Sequence, residues 1–242
     1  MKVIVTNDYH EMSKVAAEIV SHVVLDNPNA VLGLATGSSP IGLYNNLIEM
    51  YEAGLLSFAN VSTVNLDEYV GLDRDHPQSY AYFMRNVLFD HIDIDLGNTH
   101  IPCGSADNLE QQCRQYNELL ASLKQDIQVL GIGSNGHIGF NEPGTPFDSV
   151  THIVQLADST IKDNSRLFNS IDEVPTKAIT MGISNIINAR KIIVIANGTN
   201  KADAVYKMVQ GEISENCPAS VLQKHPDVVL VCDTLAAAKL KM

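Results

Sequence analysis

Basic residues are scarce in this chain. Lysine and arginine number 16 against 28 aspartates and glutamates, a formal net charge of −12 over 242 residues. That balance opposes sequence-independent binding to phosphate backbones or anionic lipid surfaces, so an anionic ligand needs a local basic pocket. Neither a nucleic acid nor a membrane is expected as a partner. Long apolar runs are missing as well. Nothing approaches the roughly 20 residues that span a bilayer, and the amino terminus, MKVIVTNDYHEM, lacks the long apolar stretch and small-residue cleavage site of a secretory signal. The expected location is the cytoplasm. The four cysteines, Cys103, Cys113, Cys217 and Cys232, form no CxxC pair and no regular spacing with histidines. Neither a zinc site nor a disulfide framework is therefore signalled, and buried free thiols are expected. No Pro/Gly/Ser-rich linker, low-complexity tract or internal repeat breaks the chain, so residues 1–242 are read as one domain.

What is present suffices for a core: 45% of residues are hydrophobic and 18% charged, which excludes a disordered chain. Short β-branched runs alternate with longer stretches of helical period, the pattern of an α/β protein with a largely parallel sheet. Strands are expected near 3–5, 31–35, 61–66, 127–131, 179–181, 192–196 and 228–232. Several are continuous apolar runs, as in strands covered on both faces. Met12, Val15, Ala16, Ile19, Val20, Val23 and Val24 share one helical stripe, and Ile41, Tyr44, Leu47, Ile48 and Tyr51 another. Residues 142–174 have weaker periodicity and read as a long connection, a candidate active-site lid.

In open α/β sheets ligands bind beyond the carboxyl ends of strands, so polar clusters there carry the functional argument. Four fit. Thr36-Gly37-Ser38-Ser39-Pro40 follows the second strand, with glycine allowing close backbone approach, Ser39 placed to cap the next helix and Pro40 suited to its first position. Such a turn aims amides at an anion, although an ordinary capped turn has the same string. Leu66-Asp67-Glu68-Tyr69-Val70-Gly71-Leu72 sets two adjacent carboxylates at a strand end, ahead of a helix starting near Ser79. Neighbouring side chains in extended backbone face opposite ways, so only one of the two can enter a cleft while the other meets solvent or a partner; a cap or surface turn is the plainer use of either.

The third cluster, Gly131 to Gly144, has five glycines in fourteen residues interleaved with Asn135, His137, Ile138, Phe140 and Glu142. A linker needs no such residues, so the string reads as a tightly folded loop presenting an imidazole and a carboxylate. Its first six residues also spell GxGxxG, which keeps a dinucleotide loop as a rival, although the later breakers argue against a helix starting there. The fourth cluster, Asn197-Gly198-Thr199-Asn200-Lys201, puts a lysine at a helix start, where the partial positive charge disfavours it unless an anion is bound. A solvated surface lysine is the alternative. Arg166, near Lys162, is a second basic candidate.

Taken together, LDEYVGL, GSNGHIGFNEPG and NGTNK resemble the glucosamine-6-phosphate deaminase (glucosamine-6-phosphate isomerase) family along essentially the whole chain. The resemblance implies a modified Rossmann-like open sheet and conversion of glucosamine 6-phosphate and water to fructose 6-phosphate and ammonia. It implies no metal and no redox cofactor. The family's base on carbon 2 falls on Asp67, its ring-opening histidine on His137 and the supporting carboxylate on Glu142; the phosphate ligands fall on Gly37, Ser38, Ser39, Arg166 and Lys201. Some members carry aspartate where this chain has Asn135. An amide orients an imidazole but cannot accept its proton, which leaves His137 and Glu142 as the titrating pair. Rival functions on the same fold are a 6-phosphogluconolactonase-like hydrolase and a non-catalytic sugar-phosphate sensor. Longer, hexameric members activated by an aminosugar phosphate use basic residues after the NEP motif and a carboxyl-terminal extension. With His152 and Val154 in that stretch and an end at Met242, a monomer or small homo-oligomer without such activation is expected.

Overall fold

A computed structural model describes residues 1–156, 161, 168, 170 and 173–241. Seven strands form one sheet in the order β1 (Lys2–Thr6), β10 (Val228–Asp233), β9 (Ile192–Ala196), β6 (Ile127–Gly131), β2 (Val31–Leu34), β3 (Ser62–Asn65) and β5 (Thr99–His100). Every neighbouring pair in it is parallel. The apolar runs explain this. β9 and β10 are buried along their whole length, so both faces must be covered by helices, and parallel crossovers supply them. Helix α1 (Tyr9–Asp26) buries Met12, Ala16, Val20 and Val24 of the expected stripe together with Ala17, leaves Val15, Ile19 and Val23 half-buried, and packs on α2 (Ile41–Glu52).

The strand order reverses between β2 and β6. From β2 the chain moves outward through β3 to β5, then returns to β6 on the other side and continues to β9 and β10. At such a switch point the loops leaving adjacent strands diverge to opposite faces and open a crevice at the carboxyl rim. The sequence clusters that follow β9, β6, β2 and β3 therefore leave four consecutive strands of the sheet.

A second sheet of three antiparallel strands, β4 (Asp67–Tyr69), β8 (Lys177–Thr180) and β7 (His152–Gln155), was not legible as such. The expected strand over 61–66 ends at Asn65, and Asp67 opens β4 in the other sheet rather than closing the first. One peptide makes the transfer: the amide of Leu66 donates to Leu34 O in the large sheet at 3.3 Å, while its carbonyl accepts from Met181 N at 2.7 Å in the small one. The expected strand over 179–181 is β8, shifted earlier, and β7 lies inside the 142–174 stretch read as a connection. Helices α3 (Tyr80–Val87) and α4 (Leu109–Ser122) complete the outer layer here. No helix among the described residues is long and apolar enough to cross a membrane. All four cysteines are free, three of them buried and Cys103 half-buried.

Candidate active site

The loop after β2 is held open by two tyrosines from neighbouring helices. Tyr44 of α2 donates to Ala35 O at 2.6 Å and accepts from Ala35 N at 3.2 Å, fixing the strand end. Tyr9 of α1 donates to Ser38 O at 3.0 Å and accepts from Gly42 N at 2.8 Å. Gly37 lies at φ +92°, in the left-handed region. The expected cap by Ser39 is not formed: α2 starts one residue later, with Pro40 at the capping position and no side-chain bond there. Proline's fixed φ suits that place, and the tyrosine brace sets the loop's path instead of a serine cap. The amides of Gly37, Ser38 and Ser39 are engaged by no hydrogen bond among the described residues.

The loop after β6 behaves differently. It makes turns and no helix, which removes the dinucleotide reading of its GxGxxG string. Gly133 N donates to His137 O at 2.9 Å, Gly136 N to Gly133 O at 3.0 Å and Asn141 N to Ile138 O at 3.1 Å. The imidazole of His137 lies over Gly133 so closely that a Cβ there would come within 2.4 Å of ring atoms. Its Nδ1 is 3.2 Å from Glu142 Oε1, a close polar contact that falls short of full hydrogen-bond geometry. Asn135 completes the set: its Oδ1 accepts from His137 N at 3.1 Å and its Nδ2 donates to Glu142 Oε2 at 2.6 Å. Contact with His137, and more weakly the Asn135 bond, holds the Glu142 carboxyl below its ordinary range although partial burial opposes this.

Asp67 is buried, 6% exposed, and its carboxyl is pushed up to about 8, first by desolvation and then by the charge of Glu68. It reaches the glycine loop: a Cβ added to Gly139, at φ +57°, would lie 3.5 Å from Asp67 Oδ2 and 3.0 Å from Thr180 Oγ1. Thr180 pairs with Asp67 across the small sheet and accepts from Phe140 N at 3.2 Å. Glu68 turns the other way, as alternation requires. It meets no solvent, however: it is 2% exposed and binds backbone amides at the start of α3. Ser79 caps that helix by accepting from Tyr82 N at 3.0 Å. Tyr116 of α4 fastens the end of β3 by donating to Asn65 O at 2.7 Å.

Lys201 ends the turn after β9 and precedes the helix Ala202–Gln210. It is half-buried, its ammonium is pulled below its ordinary pKa by desolvation, and it forms no ion pair among the described residues. Asp233, at the end of β10, holds the turn by accepting Gly198 N on both oxygens, at 3.0 and 2.9 Å. Arg166 lies outside the described residues. Clefts of about 200–220 Å³ occur on the flanks, lined for example by Asn117, Lys124 and Asn185 or by Arg74, Thr99 and His100. None of these clefts is lined by Asp67, His137 or Lys201. Among the described residues no three His, Cys, Asp or Glu side chains converge as a metal cage. Tyr9, Tyr116 and Asp233 went unread in the sequence because each acts on a backbone atom distant in the chain, and Tyr44 was read only as part of the α2 stripe.

A parallel sheet with a switch point, whose carboxyl rim carries a buried carboxyl, an imidazole–carboxylate contact and an ammonium without an ion pair among the described residues, defines an open α/β protein with a polar rim. The family model for glucosamine-6-phosphate isomerases/6-phosphogluconolactonase matches residues 8–231, and the chain belongs to that family. It is 53% identical over 239 residues to the glucosamine-6-phosphate deaminase of Thermoanaerobacter pseudethanolicus, covering 98% of this chain and 94% of that one. It is 52% identical over 243 residues to the protein of the same name in Clostridium botulinum, covering both chains fully. Among solved structures, a monomeric glucosamine-6-phosphate deaminase superposes with a TM-score of 0.96 at 50% identity, over 98% of this chain and 99% of that one. The 6-phosphogluconolactonase of Trypanosoma brucei shares the fold, with a TM-score of 0.78 at 19% identity over 99% and 98% of the two chains.

Proposed function

We propose that this chain converts glucosamine 6-phosphate and water to fructose 6-phosphate and ammonia, with Asp67 as the carbon-2 base. The observation that carries this reading is the buried Asp67 carboxyl beside the loop bearing His137 and Glu142. Once ionised, a carboxyl raised to about 8 is a stronger base than a solvated carboxylate, as abstraction of a weakly acidic C–H requires, and its ionised share grows as pH rises toward 8. Identity of 52–53% to named deaminases, against 19% to the lactonase, favours this over lactone hydrolysis.

The roles follow from the chemistry of each group. His137 takes the anomeric hydroxyl proton and delivers it to the ring oxygen, breaking the carbon 1–ring oxygen bond; Glu142 and Asn135 orient the ring. Asp67 removes the proton from carbon 2, acidified by the new aldehyde, and returns it to carbon 1, while a proton leaves the amino group and one is gained by the carbon 1 oxygen, which becomes a hydroxyl. The resulting carbon-2 imine adds water, and ammonia leaves. Lys201 and the amides of Gly37, Ser38 and Ser39 hold the phosphate, with Arg166 as a further ligand. Their task is positioning, which lowers the barrier by fixing the reacting carbons.

The chain acts as a single domain and as a monomer in the cytoplasm, and the described parts of residues 142–174 border the site, while 157–160, 162–167, 169, 171 and 172 of the expected lid lie outside the described residues. Support for this border is that Ile161 packs on the cluster containing Tyr69 and Phe140, and that Phe168 stacks on His76 at 6.3 Å. A coupled assay for ammonia released from glucosamine 6-phosphate tests the activity. Hydrolysis of 6-phosphogluconolactone without ammonia release overturns it. Asp67→Asn is expected to abolish exchange of the carbon-2 proton with solvent, and unchanged exchange removes Asp67 from the role. His137→Gln is expected to retain more activity on an open-chain analogue than on the closed sugar.

A further inference from the structure

Glu68 stands next to the proposed base, yet nothing in the reaction uses it. Its carboxylate takes three backbone amides: Oε1 accepts from Tyr69 N at 2.8 Å and Tyr80 N at 2.9 Å, and Oε2 accepts from Ala81 N at 2.9 Å. With Ser79 on Tyr82 N, the first three amides of α3 are all met by side chains, two of them by a charge placed at the positive end of the helix. The clamp also reaches the glycine loop. Tyr80, held at its amide by Glu68, stacks on Phe140 at 6.2 Å with an interplanar angle of 7° and packs against Tyr69 at 4.7 Å. β4 is therefore gripped from two directions, by β8 through its backbone and by α3 through Glu68.

We propose that Glu68 is a positioning residue for Asp67, locking the direction of its carboxyl by tying β4 to the start of α3 without touching the substrate. The inference rests on the reading of Asp67 as the base. Two consequences are separable. The reach of Glu68 fixes geometry; burial pushes its own carboxyl up, opposed by the three amides and by Arg74, and its charge once ionised makes the neighbouring carboxyl harder to ionise. Among the described residues, the other titratable groups facing Asp67 are Tyr69 of its own strand, Tyr80 of α3 and Tyr116 of α4; Arg74 faces Glu68. Thr180 of β8 and Gly139 bring no charge to it.

Glu68→Asp keeps the charge and shortens the reach, whereas Glu68→Gln keeps the length and removes the charge. For Glu68→Asp, kcat is expected to fall about 10-fold or more with KM within about 3-fold, since small misplacements of a reacting group carry losses up to about 100-fold. For Glu68→Gln, the acid limb of the kcat/KM profile moves to lower pH by about 1 unit, a size ordinary for one nearby charge. Ser79→Ala, which loosens the same helix end, lowers Tm without moving that limb. Both Glu68 variants showing only a lower Tm, with kcat within about 2-fold of wild type and the limb in place, would assign Glu68 a merely structural part. A carbon-13 NMR titration of the aspartate and glutamate carboxyls in the unliganded wild-type protein needs neither variant nor activity. Glu68 is expected to ionise first and Asp67 second, and the reverse order overturns the inference. A wild type that releases no ammonia refutes the deaminase reading while leaving this titration able to judge Glu68.

Discussion

The loops that follow β2 and β6 leave adjacent strands toward the same crevice, and they treat their backbone donors in opposite ways. The β6 loop turns its amides inward, onto its own carbonyls, Asn135 and Thr180, and the result is a fixed imidazole and carboxylate. The β2 loop is shaped from outside by Tyr9 and Tyr44, which leaves the amides of Gly37, Ser38 and Ser39 for a ligand. A chain has one N–H per residue, so a segment that uses its donors to orient side chains has few left for binding. Under the proposed function a division of labour between the loops follows: the second and β4 would carry the chemistry, the first and Lys201 the grip.

The largest effect expected from breaking this division is on the chemical side. Asp67→Asn is expected to lower kcat by about 100- to 10,000-fold with a modest change in KM, measured under saturating substrate. The same variant has an opposite effect on stability. In the folded chain the Asp67 carboxyl ionises near 8 rather than its ordinary 3.8, so the fold retains a proton that the unfolded chain releases between those values. Stability therefore falls as pH rises through that window, and the loss is complete above about 8. Thermal melting should show Asp67→Asn gaining several degrees over wild type at pH 9, at about 2–4 °C per kcal/mol, and less at pH 5.

Next in size is Gly133→Ala. The added methyl displaces the His137 ring from Glu142, and kcat is expected to fall about 10- to 100-fold with KM nearly constant. Lys201→Ala attacks the grip instead: KM is expected to rise about 10-fold or more, and steady-state kinetics with kcat preserved within a few-fold would sharpen the division. An equal fall in kcat with KM unmoved would erase it. The smallest effect is that of Tyr9→Phe, which removes the brace on Ser38 and Gly42; a rise in KM of about 2- to 5-fold is expected, from loss of a hydrogen-bonding hydroxyl.

Much of this arrangement was written in local sequence. Apolar runs marked β6, β9 and β10, and helical stripes marked α1 and α2, because burial on both faces or on one leaves a period that a window can read. His137 and Glu142 stood out since glycines interleaved with chemistry have few structural uses. The misses share a different cause. β4, β5 and β7 are only two to four residues long, too short for a period, and their pairing is decided by partners far along the chain. Glu68 was expected to face solvent or a partner because alternation fixes the face and not what covers it. Its actual cover, the start of α3, lies twelve residues on. Ser39 was given a capping part that Tyr9, thirty positions earlier, makes unnecessary.

The bond pair at Leu66 has one further meaning. With its amide sewn to one sheet and its carbonyl to the other, that peptide is a rivet through two plates, and the proposed proton carrier is the next residue along. The plates cannot slip without dragging the carrier off its mark. Redesign of substrate range is therefore safest at the β2 loop or around Lys201, where side chains can change while the riveted joint stays untouched.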